Sequence, residues 1–338
     1  MNSPQDWGAD MIRSVVSDWK EDDHLRFEKE LFHRKHTFLD RIDVSDAGLA
    51  ALIDATPDDY IDVVTMGDDP SNKETWRTGD VRGMKGADII EAVKNGRVWL
   101  NLRDLNHLMP DYAKLLDDIY ESFEDACPGL QTRRRQLGFI ISSPHISTFY
   151  HVDVPITILW QLRGVKRVFH YPKKEPYISE ELMERIYLNE IDEVEIPFEL
   201  SWDDRPDCST VDLQPGEMLL WGHNDPHRVE NHDMMNVSLS TEHFTLETMK
   251  RYGVYFANGY LRRRFGMGQL GIAVEGLSPW MKSAFTAMLK KSGIQKQHRR
   301  VKWVSFRVDP DAPNGVRDIE PYPHGAFNAS AEAKNKAA

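Results

Sequence analysis

The chain has 338 residues, 41% of them hydrophobic and 28% charged, and its net charge is −12. This acidity argues against a surface devoted to nucleic acid, which requires clustered Lys and Arg. No stretch is long and apolar enough to span a membrane, and the N-terminus lacks the basic and apolar segments of a signal peptide, so we expect a cytoplasmic protein. The only cysteines, Cys127 and Cys208, are too few for a disulfide framework or a thiolate metal site.

Residues 1–134 form the first region, which is predicted to be mixed α/β structure that supports the rest. Alternating apolar residues predict strands at 60–64 and 97–102. Apolar residues at helical spacing predict helices at 86–95 and 110–124. Nothing in this region indicates chemistry.

Residues 135–245 change in character to short β-branched and aromatic runs, which are separated by turn sequences such as Arg163-Gly164. The predicted strands are 137–141, 156–162, 166–171, 194–196, 210–213, 217–221, 227–230 and 236–241. Eight short strands without long helices between them predict a mainly β core, a double-sheet jelly roll of the cupin kind.

Residues 246–338 are predicted to be mainly helical, with helices at 246–265 and 279–292, a strand at 301–308 and Pro-rich coil after it. The last residues, 328–338, have nothing to bury and are expected to be disordered. From residue 246 onward there are 16 Lys and Arg against 7 Asp and Glu. This basic part could bind an anionic partner, or dock against the acidic body of the same or another subunit, and we favour docking.

The candidate chemistry lies in His151-Val152-Asp153 and in His227, which follows a Pro-containing turn. Residues two apart in a strand point to the same side, so His151 and Asp153 can both face the interior. A returning strand could bring His227 over them. Two imidazoles and one carboxylate are the ligands that hold a non-haem ferrous ion on one face and leave the other face open.

The distal histidine has a rival in His223, which stands four residues earlier in the same turn sequence. We favour His227 because a valine follows it and because of its strand register. His223 would then lie next to the ligands, at the pocket mouth or in solvent. Both assignments remain open on the sequence alone.

Residues 148–172 resemble the HxD strand pair of the JmjC and cupin-like iron(II)- and 2-oxoglutarate-dependent oxygenases, most closely the asparaginyl-hydroxylase-like branch. That branch has a Thr three residues before the first His and a Lys fifteen residues after it, and here these are Thr148 and Lys166. Strand alternation turns only one of Lys166 and Arg167 inward, and the resemblance selects Lys166. Residues 213–221 are similar to the LxPGDxLxxP strand of the family. The resemblance covers roughly residues 135–245.

The resemblance implies an enzyme that uses oxygen and 2-oxoglutarate, releases succinate and carbon dioxide, and hydroxylates a C–H bond, or demethylates if the carbon lies on nitrogen. His151, Asp153 and His227 would hold iron(II), and Thr148 and Lys166 would bind 2-oxoglutarate. Other cupin-fold oxygenases bind this carboxylate with an Arg beyond the distal His, and no Arg stands between residues 229 and 250 here. Ser238 is expected near the co-substrate.

The substrate is expected to be a protein side chain or a small molecule, and not nucleic acid. An acidic insertion at 173–206 is predicted to roof the pocket, which fits a cationic substrate or simply a solvated loop.

The branch also implies a homodimer through the C-terminal helices, although an intramolecular core would explain the same apolar residues: Leu261, Phe265, Leu270 and Ile272. Two other functions stay open, a metal-dependent cupin enzyme that does not use 2-oxoglutarate and a non-catalytic regulatory or sensor protein.

Overall fold

The computed structural model describes residues 11–268, 270–291 and 302–324. The tail predicted to be disordered, 328–338, lies outside these ranges. The α-helices that lie wholly within them are α1 (Asp23–Arg26), α2 (Asp46–Ala55), α3 (Gly86–Asn95), α4 (Leu105–Leu108), α5 (Pro110–Ala126), α6 (Glu180–Tyr187), α7 (Leu246–Phe265) and α8 (Leu277–Lys291). Short 3-10 helices cover Phe38–Asp40, Asp58–Tyr60, Lys73–Thr75, Leu200–Asp204 and Pro313–Gly315.

Fourteen strands form two sheets within the described residues. The strands are β1 (Phe32–Lys35), β2 (Ile61–Thr65), β3 (Arg77–Asp80), β4 (Trp99–Leu102), β5 (Arg133–Ser142), β6 (Ser147–His151), β7 (Ile156–Arg163), β8 (Lys166–His170), β9 (Ser209–Leu213), β10 (Glu217–Leu220), β11 (His227–Asn231), β12 (Asn236–Phe244), β13 (Trp303–Val308) and β14 (Val316–Pro323).

The central eight strands, β5 to β12, form a double-stranded β-helix. Their order is β10-β7-β12-β5 in the larger sheet and β6-β11-β8-β9 in the smaller one, so that consecutive strands alternate between the two sheets except for β8 and β9, which pair within the smaller sheet. All pairings among these eight strands are antiparallel. This is the topology of a jelly roll, and it confirms the predicted fold class.

The larger sheet continues beyond the jelly roll in both directions. β1 pairs with β10 at one edge, while β4, β2, β3, β13 and β14 follow β5 at the other. β13 lies parallel to β3, so the C-terminal hairpin adds to strands from the N-terminal part of the chain. The strands that follow β5 at this edge contribute residues to the wall of the cavity described below.

Three groups of buried side chains hold these layers together. Leu159, Val168, Leu219 and Val229 pack between the two sheets of the jelly roll. The predicted apolar face of α5 packs on the outer face of the large sheet, with Leu115, Leu116, Ile119 and Phe123 all buried. Burying each such side chain contributes about 1.5–3 kcal/mol. A third, aromatic group covers the outside of the small sheet and includes residues of the insertion that follows β8: Tyr150, Tyr171, Tyr177, Tyr187 and Trp202.

Several predicted elements are confirmed almost to the residue, including α3 and α7. The C-terminus of α7 is fixed by Gly266, whose positive φ of 63° ends the helix as expected. The strand predicted at 194–196 is wrong, because that segment is a loop. The Pro-rich coil predicted after 308 is also wrong, because it includes β14, which pairs with β13. Across the described ranges no helix is long and apolar enough to cross a membrane.

Candidate metal centre

His151, Asp153 and His227 meet at one end of a cavity between the two sheets. One ligand atom from each residue lies within 4.8 Å of the others. The Nε2 atoms of His151 and His227 are each 3.6 Å from a different carboxylate oxygen of Asp153. The two imidazole ring centroids are 4.2 Å apart. Three donors are therefore gathered around one point, as a single metal ion requires.

The strand β6 carries a bulge that turns its side chains toward the cavity. His151 pairs with His227, but the next pair is Thr148 with Val229, so two residues of β6 stand opposite one residue of β11. Residues three apart in a regular strand would point to opposite faces. The bulge lets both Thr148 and His151 line the cavity, and Tyr150 instead packs outside the small sheet.

Each histidine has its second ring nitrogen bonded to a backbone carbonyl, which fixes its tautomer. His151 Nδ1 lies 2.7 Å from the carbonyl oxygen of Phe149, and His227 Nδ1 lies 3.1 Å from that of Asp225. A carbonyl can only accept, so Nδ1 carries the hydrogen in both rings. Each Nε2 then presents its lone pair toward Asp153, as a metal ligand must.

The electrostatics of the cluster also suit a cation. Burial and the neighbouring His151 hold the pKa of His227 well below its usual value, so the ring is neutral and able to bind a metal. Burial raises the pKa of Asp153, and His151 opposes this shift. A divalent ion would remove the cost of burying this carboxylate. The donor set of two imidazoles and one carboxylate fits iron(II).

The rival His223 does not join the cluster but helps to position it. Its Nε2 lies 2.9 Å from the carbonyl oxygen of Val154, which is a backbone contact with the segment just after Asp153. The adjacent Asn224 donates its side-chain amide to the carbonyl of Asp153 at 2.6 Å. Asn224 adopts a positive φ of 64°, which Asn tolerates better than most residues. The turn before His227 is thereby bonded to the backbone that carries Asp153.

The cavity that begins at the cluster has a volume of about 1110 Å³ and contains the ammonium of Lys166 in its wall. Lys166 is 3% exposed, and burial lowers its pKa to about 7. No residue in the described ranges forms an ion pair or side-chain hydrogen bond with it. A buried cation without a partner favours an anionic ligand.

The two sequence candidates for this role, Lys166 and Arg167, face opposite ways. Arg167 is 41% exposed at its side chain and forms a bidentate pair with Asp212, with both distances 2.7 Å. The turn before them depends on Gly164, whose φ is 75° and where a Cβ atom would lie 2.8 Å from the carbonyl oxygen of Met235. This turn sets the register that brings Lys166 inside. Thr148 lines the same cavity.

Ser238 is buried on β12 but does not line the cavity. Its hydroxyl donates to the side-chain oxygen of Gln161 at 2.7 Å. Gln161 in turn donates to Asn236 and to the carbonyl of Gly164, each at 2.8 Å. Ser238 is therefore tied to the turn that precedes Lys166 and has no cavity surface of its own.

The sequence did not single out several residues of the outer cavity wall. Glu193 comes from the loop after α6, Glu242 from β12 and Thr157 from β7, while Trp76 and Trp99 come from the N-terminal part. Burial raises the pKa of Glu193 to about 8 and that of Glu242 to about 7, and the charge of Asp153 adds to both shifts. The only sequence signal was the acidity of the insertion that contains Glu193.

No protein-family model matches the chain, and no curated protein does. Solved structures similar to it include Escherichia coli YcfD, a ribosomal oxygenase, in complex with cobalt and 2-oxoglutarate, at 18% sequence identity, 84% coverage of this chain, 69% of that chain and a TM-score of 0.46. The complex of YcfD with cobalt and succinic acid is similar at 16% identity, 84% and 70% coverage and a TM-score of 0.45. The function is therefore inferred from the residues of the site.

Proposed function

We propose that this protein is an iron(II)- and 2-oxoglutarate-dependent oxygenase that hydroxylates a protein side chain or a small molecule. The observation that carries the proposal is the buried Lys166, which has no partner in the described ranges and lies in the same cavity as the His151, Asp153 and His227 cluster. The three-residue cluster alone would fit many metal enzymes. A buried cation beside it indicates that a second, anionic compound binds together with the metal.

Each residue has a distinct task in this scheme. His151, Asp153 and His227 would hold the metal through atoms that hydrogen bonds already orient. Bound there, a ferrous ion would supply the oxidation of a substrate C–H bond by oxygen, coupled to conversion of 2-oxoglutarate into succinate and carbon dioxide. The protein itself needs no general base for this reaction. Its contribution is to bind, orient and keep water from the reacting groups.

Lys166 would bind the carboxylate of 2-oxoglutarate that lies away from the metal. A charge-assisted hydrogen bond between ammonium and carboxylate is about twice as strong as a neutral one. The hydroxyl of Thr148, on the neighbouring cavity wall, can donate a second hydrogen bond to the same anion. Binding would also raise the lowered pKa of Lys166, since the anion stabilises the charged form.

The size of the cavity leaves space for a substrate beside the co-substrate. Ligand pockets commonly measure roughly 300–1,000 Å³. The volume of about 1110 Å³ exceeds what one small dicarboxylate fills. Its outer walls come from the N-terminal strands, the loop after α6 and the C-terminal hairpin, which we propose bind the substrate.

A turnover assay tests this function. The purified protein with ferrous iron, 2-oxoglutarate and air should release succinate, and cell extract should contain a component that gains one oxygen atom, as detected by mass spectrometry. Asp153→Ala should abolish both signals. Succinate release that does not depend on iron, or that persists in Asp153→Ala, would contradict the proposal.

We also propose that the C-terminal helices form a homodimer surface. One face of α8 leaves large apolar side chains exposed, namely Leu277, Trp280, Met281 and Met288. Clustered exposed apolar groups are typical of protein interfaces. The protein should have the mass of a dimer in light scattering, and Trp280→Glu with Met281→Glu should convert it to a monomer. A monomeric wild type would contradict this assignment.

A further inference from the structure

Asp153 is the residue of the metal cluster whose backbone lies outside the small sheet. β6 ends at His151, so Asp153 stands two residues beyond the last residue of that strand. The pairing that places His151 opposite His227 therefore does not extend to Asp153. A ligand carboxylate keeps its position only if the backbone that carries it is held in another way. The side chain of Asn224 supplies such a bond, because its amide donates to the carbonyl oxygen of Asp153.

The amide of Asn224 is itself held from its other side. Asn224 is 2% exposed, and its side-chain oxygen lies 3.0 Å from the hydroxyl oxygen of Tyr187. The carbonyl of Asp153 can only accept, so the amide nitrogen must face it and the amide oxygen must face Tyr187. The hydroxyl of Tyr187 therefore donates. Rotation of the amide would break both bonds, so each of them fixes the orientation needed for the other.

Tyr187 belongs to a support that lies outside the jelly roll. It is the last residue of α6 and is 1% exposed. Its ring stacks on that of Tyr255 in α7, with the ring centroids 5.1 Å apart and the planes 27° from parallel. Glu184 of α6 also accepts two hydrogen bonds from Arg262 of α7, at 2.8 and 3.1 Å. The packing of these two helices therefore fixes the position of the Tyr187 hydroxyl.

Other tyrosines of the same aromatic group bond away from the metal cluster. The hydroxyl of Tyr177 donates to Asp207, and that of Tyr171 donates to Asp203. Their rings belong to the same buried layer as the ring of Tyr187. The bond from Tyr187 to Asn224 therefore differs from its neighbours in its partner, because Asn224 holds the backbone of a metal ligand.

We propose that Tyr187 is a positioning residue for Asp153 and that it acts through the amide of Asn224. This inference rests on the proposed function, since it concerns the metal that His151, Asp153 and His227 would hold. The hydroxyl orients the amide, and the amide holds the carbonyl of Asp153. The backbone from which the carboxylate extends is thereby fixed. The contact of α6 with α7 sets the geometry of one metal ligand, although Tyr187 itself does not line the cavity.

Metal affinity tests this role without turnover. The full-length protein, free of 2-oxoglutarate, is titrated with Mn²⁺, and the electron paramagnetic resonance signal of free Mn²⁺ gives the dissociation constant. Tyr187→Phe removes the hydroxyl and keeps the ring, and it should weaken Mn²⁺ binding about fivefold. Asn224→Gly removes the amide, tolerates the positive φ at this position, and should weaken binding at least about tenfold.

The double variant and a matched control separate positioning from a general contribution to stability. In Asn224→Gly, the further change Tyr187→Phe should alter the affinity by less than about twofold, because the hydroxyl acts only through the amide. Tyr177→Phe is the control, since it removes a bonded hydroxyl from the same aromatic group. It should keep the wild-type affinity for Mn²⁺.

Three results would overturn the positioning role. They are wild-type affinity in Tyr187→Phe, an equal loss of affinity in Tyr177→Phe, and the same loss from Tyr187→Phe with and without the amide of Asn224. In each of them the wild type still binds Mn²⁺, so the proposed function is untouched. A wild type that binds no Mn²⁺ would overturn the metal site, and this inference with it.

Discussion

The two ends of the cavity differ in how their residues are encoded. The inner end, with the metal cluster, Thr148 and Lys166, comes almost entirely from β6, β8 and β11 of the small sheet and the turns beside them. The outer end takes residues from the N-terminal strands, the loop after α6, β12 and the C-terminal hairpin. The residues of a site within one sheet stand at recognisable intervals in the sequence. The residues of a site assembled from distant segments do not.

The two ends of the cavity also differ in charge, and this difference determines where an anionic ligand binds. Lys166 is buried at the inner end and has no partner among the residues that the structure describes, which fits an anionic co-substrate. At the outer end Glu193 and Glu242 form no ion pair or side-chain hydrogen bond with the described residues, and burial raises the pKa of both. The cation of Lys166 therefore favours the anionic co-substrate at the inner end, and the carboxyl groups disfavour it at the outer end.

The largest expected effect is on iron affinity, and it should differ between a metal ligand and a residue that only positions the ligands. His227→Ala should weaken binding of ferrous iron at least about 100-fold, because it removes a direct ligand and not only a supporting hydrogen bond. His223→Ala should change the iron affinity only a few-fold, while lowering the free energy of unfolding by about 1 kcal/mol through loss of the bond to the Val154 carbonyl. Anaerobic equilibrium dialysis and chemical denaturation measure the two quantities. An equal loss of iron affinity in both variants would mean that His223 is also a metal ligand.

Lys166→Ala should raise the 2-oxoglutarate concentration for half-maximal succinate release about 100-fold, because it removes one member of a buried charge pair. Iron binding should stay unchanged. Arg167→Ala is the control on the outer face of the same strand and should have an effect below about twofold. An unchanged requirement in Lys166→Ala would favour the metal enzyme that does not use 2-oxoglutarate.

The pH dependence of co-substrate binding follows from the lowered pKa of Lys166, about 7. The anion binds the protonated ammonium, so affinity should level off about one pH unit below this pKa and fall as the pH rises through and above it. The expected fall is about tenfold per pH unit until the pKa of the complex is reached. Titration of the iron-loaded protein with 2-oxoglutarate between pH 7 and pH 9 measures it. Lys166→Arg keeps its charge and should show no such fall, and an equal fall in that variant would assign the effect to another group.

The smallest expected effect concerns Ser238. Its hydroxyl donates to Gln161 and does not line the cavity, so Ser238→Ala should change the 2-oxoglutarate requirement by less than about threefold. Stability should fall by about 1 kcal/mol, measured by denaturation. A requirement raised as far as in Lys166→Ala would mean that Ser238 contacts the co-substrate directly.

The residues at the inner end of the cavity were largely predictable from the sequence, and those at the outer end were not. The spacing of His151 and Asp153 predicted that both side chains face the cavity, because they stand two residues apart at the end of β6. The choice of Lys166 over Arg167 came from the family resemblance and not from the spacing. The bulge that brings Thr148 to the same side was not predictable, since alternation alone would turn it away. The parallel pairing of β13 with β3 was equally hidden, because it joins segments more than 200 residues apart. The cytoplasmic location stays a prediction of the sequence.

The most direct test of the central claim is the visible spectrum of the protein with ferrous iron under anaerobic conditions. Adding 2-oxoglutarate to the wild type should produce a weak absorption band, because the co-substrate binds the metal held by His151, Asp153 and His227. Asp153→Ala should lose the band, and Lys166→Ala should reach it only at much higher 2-oxoglutarate. A wild type without a band at saturating co-substrate, or a band that is unchanged in Asp153→Ala, would contradict the account.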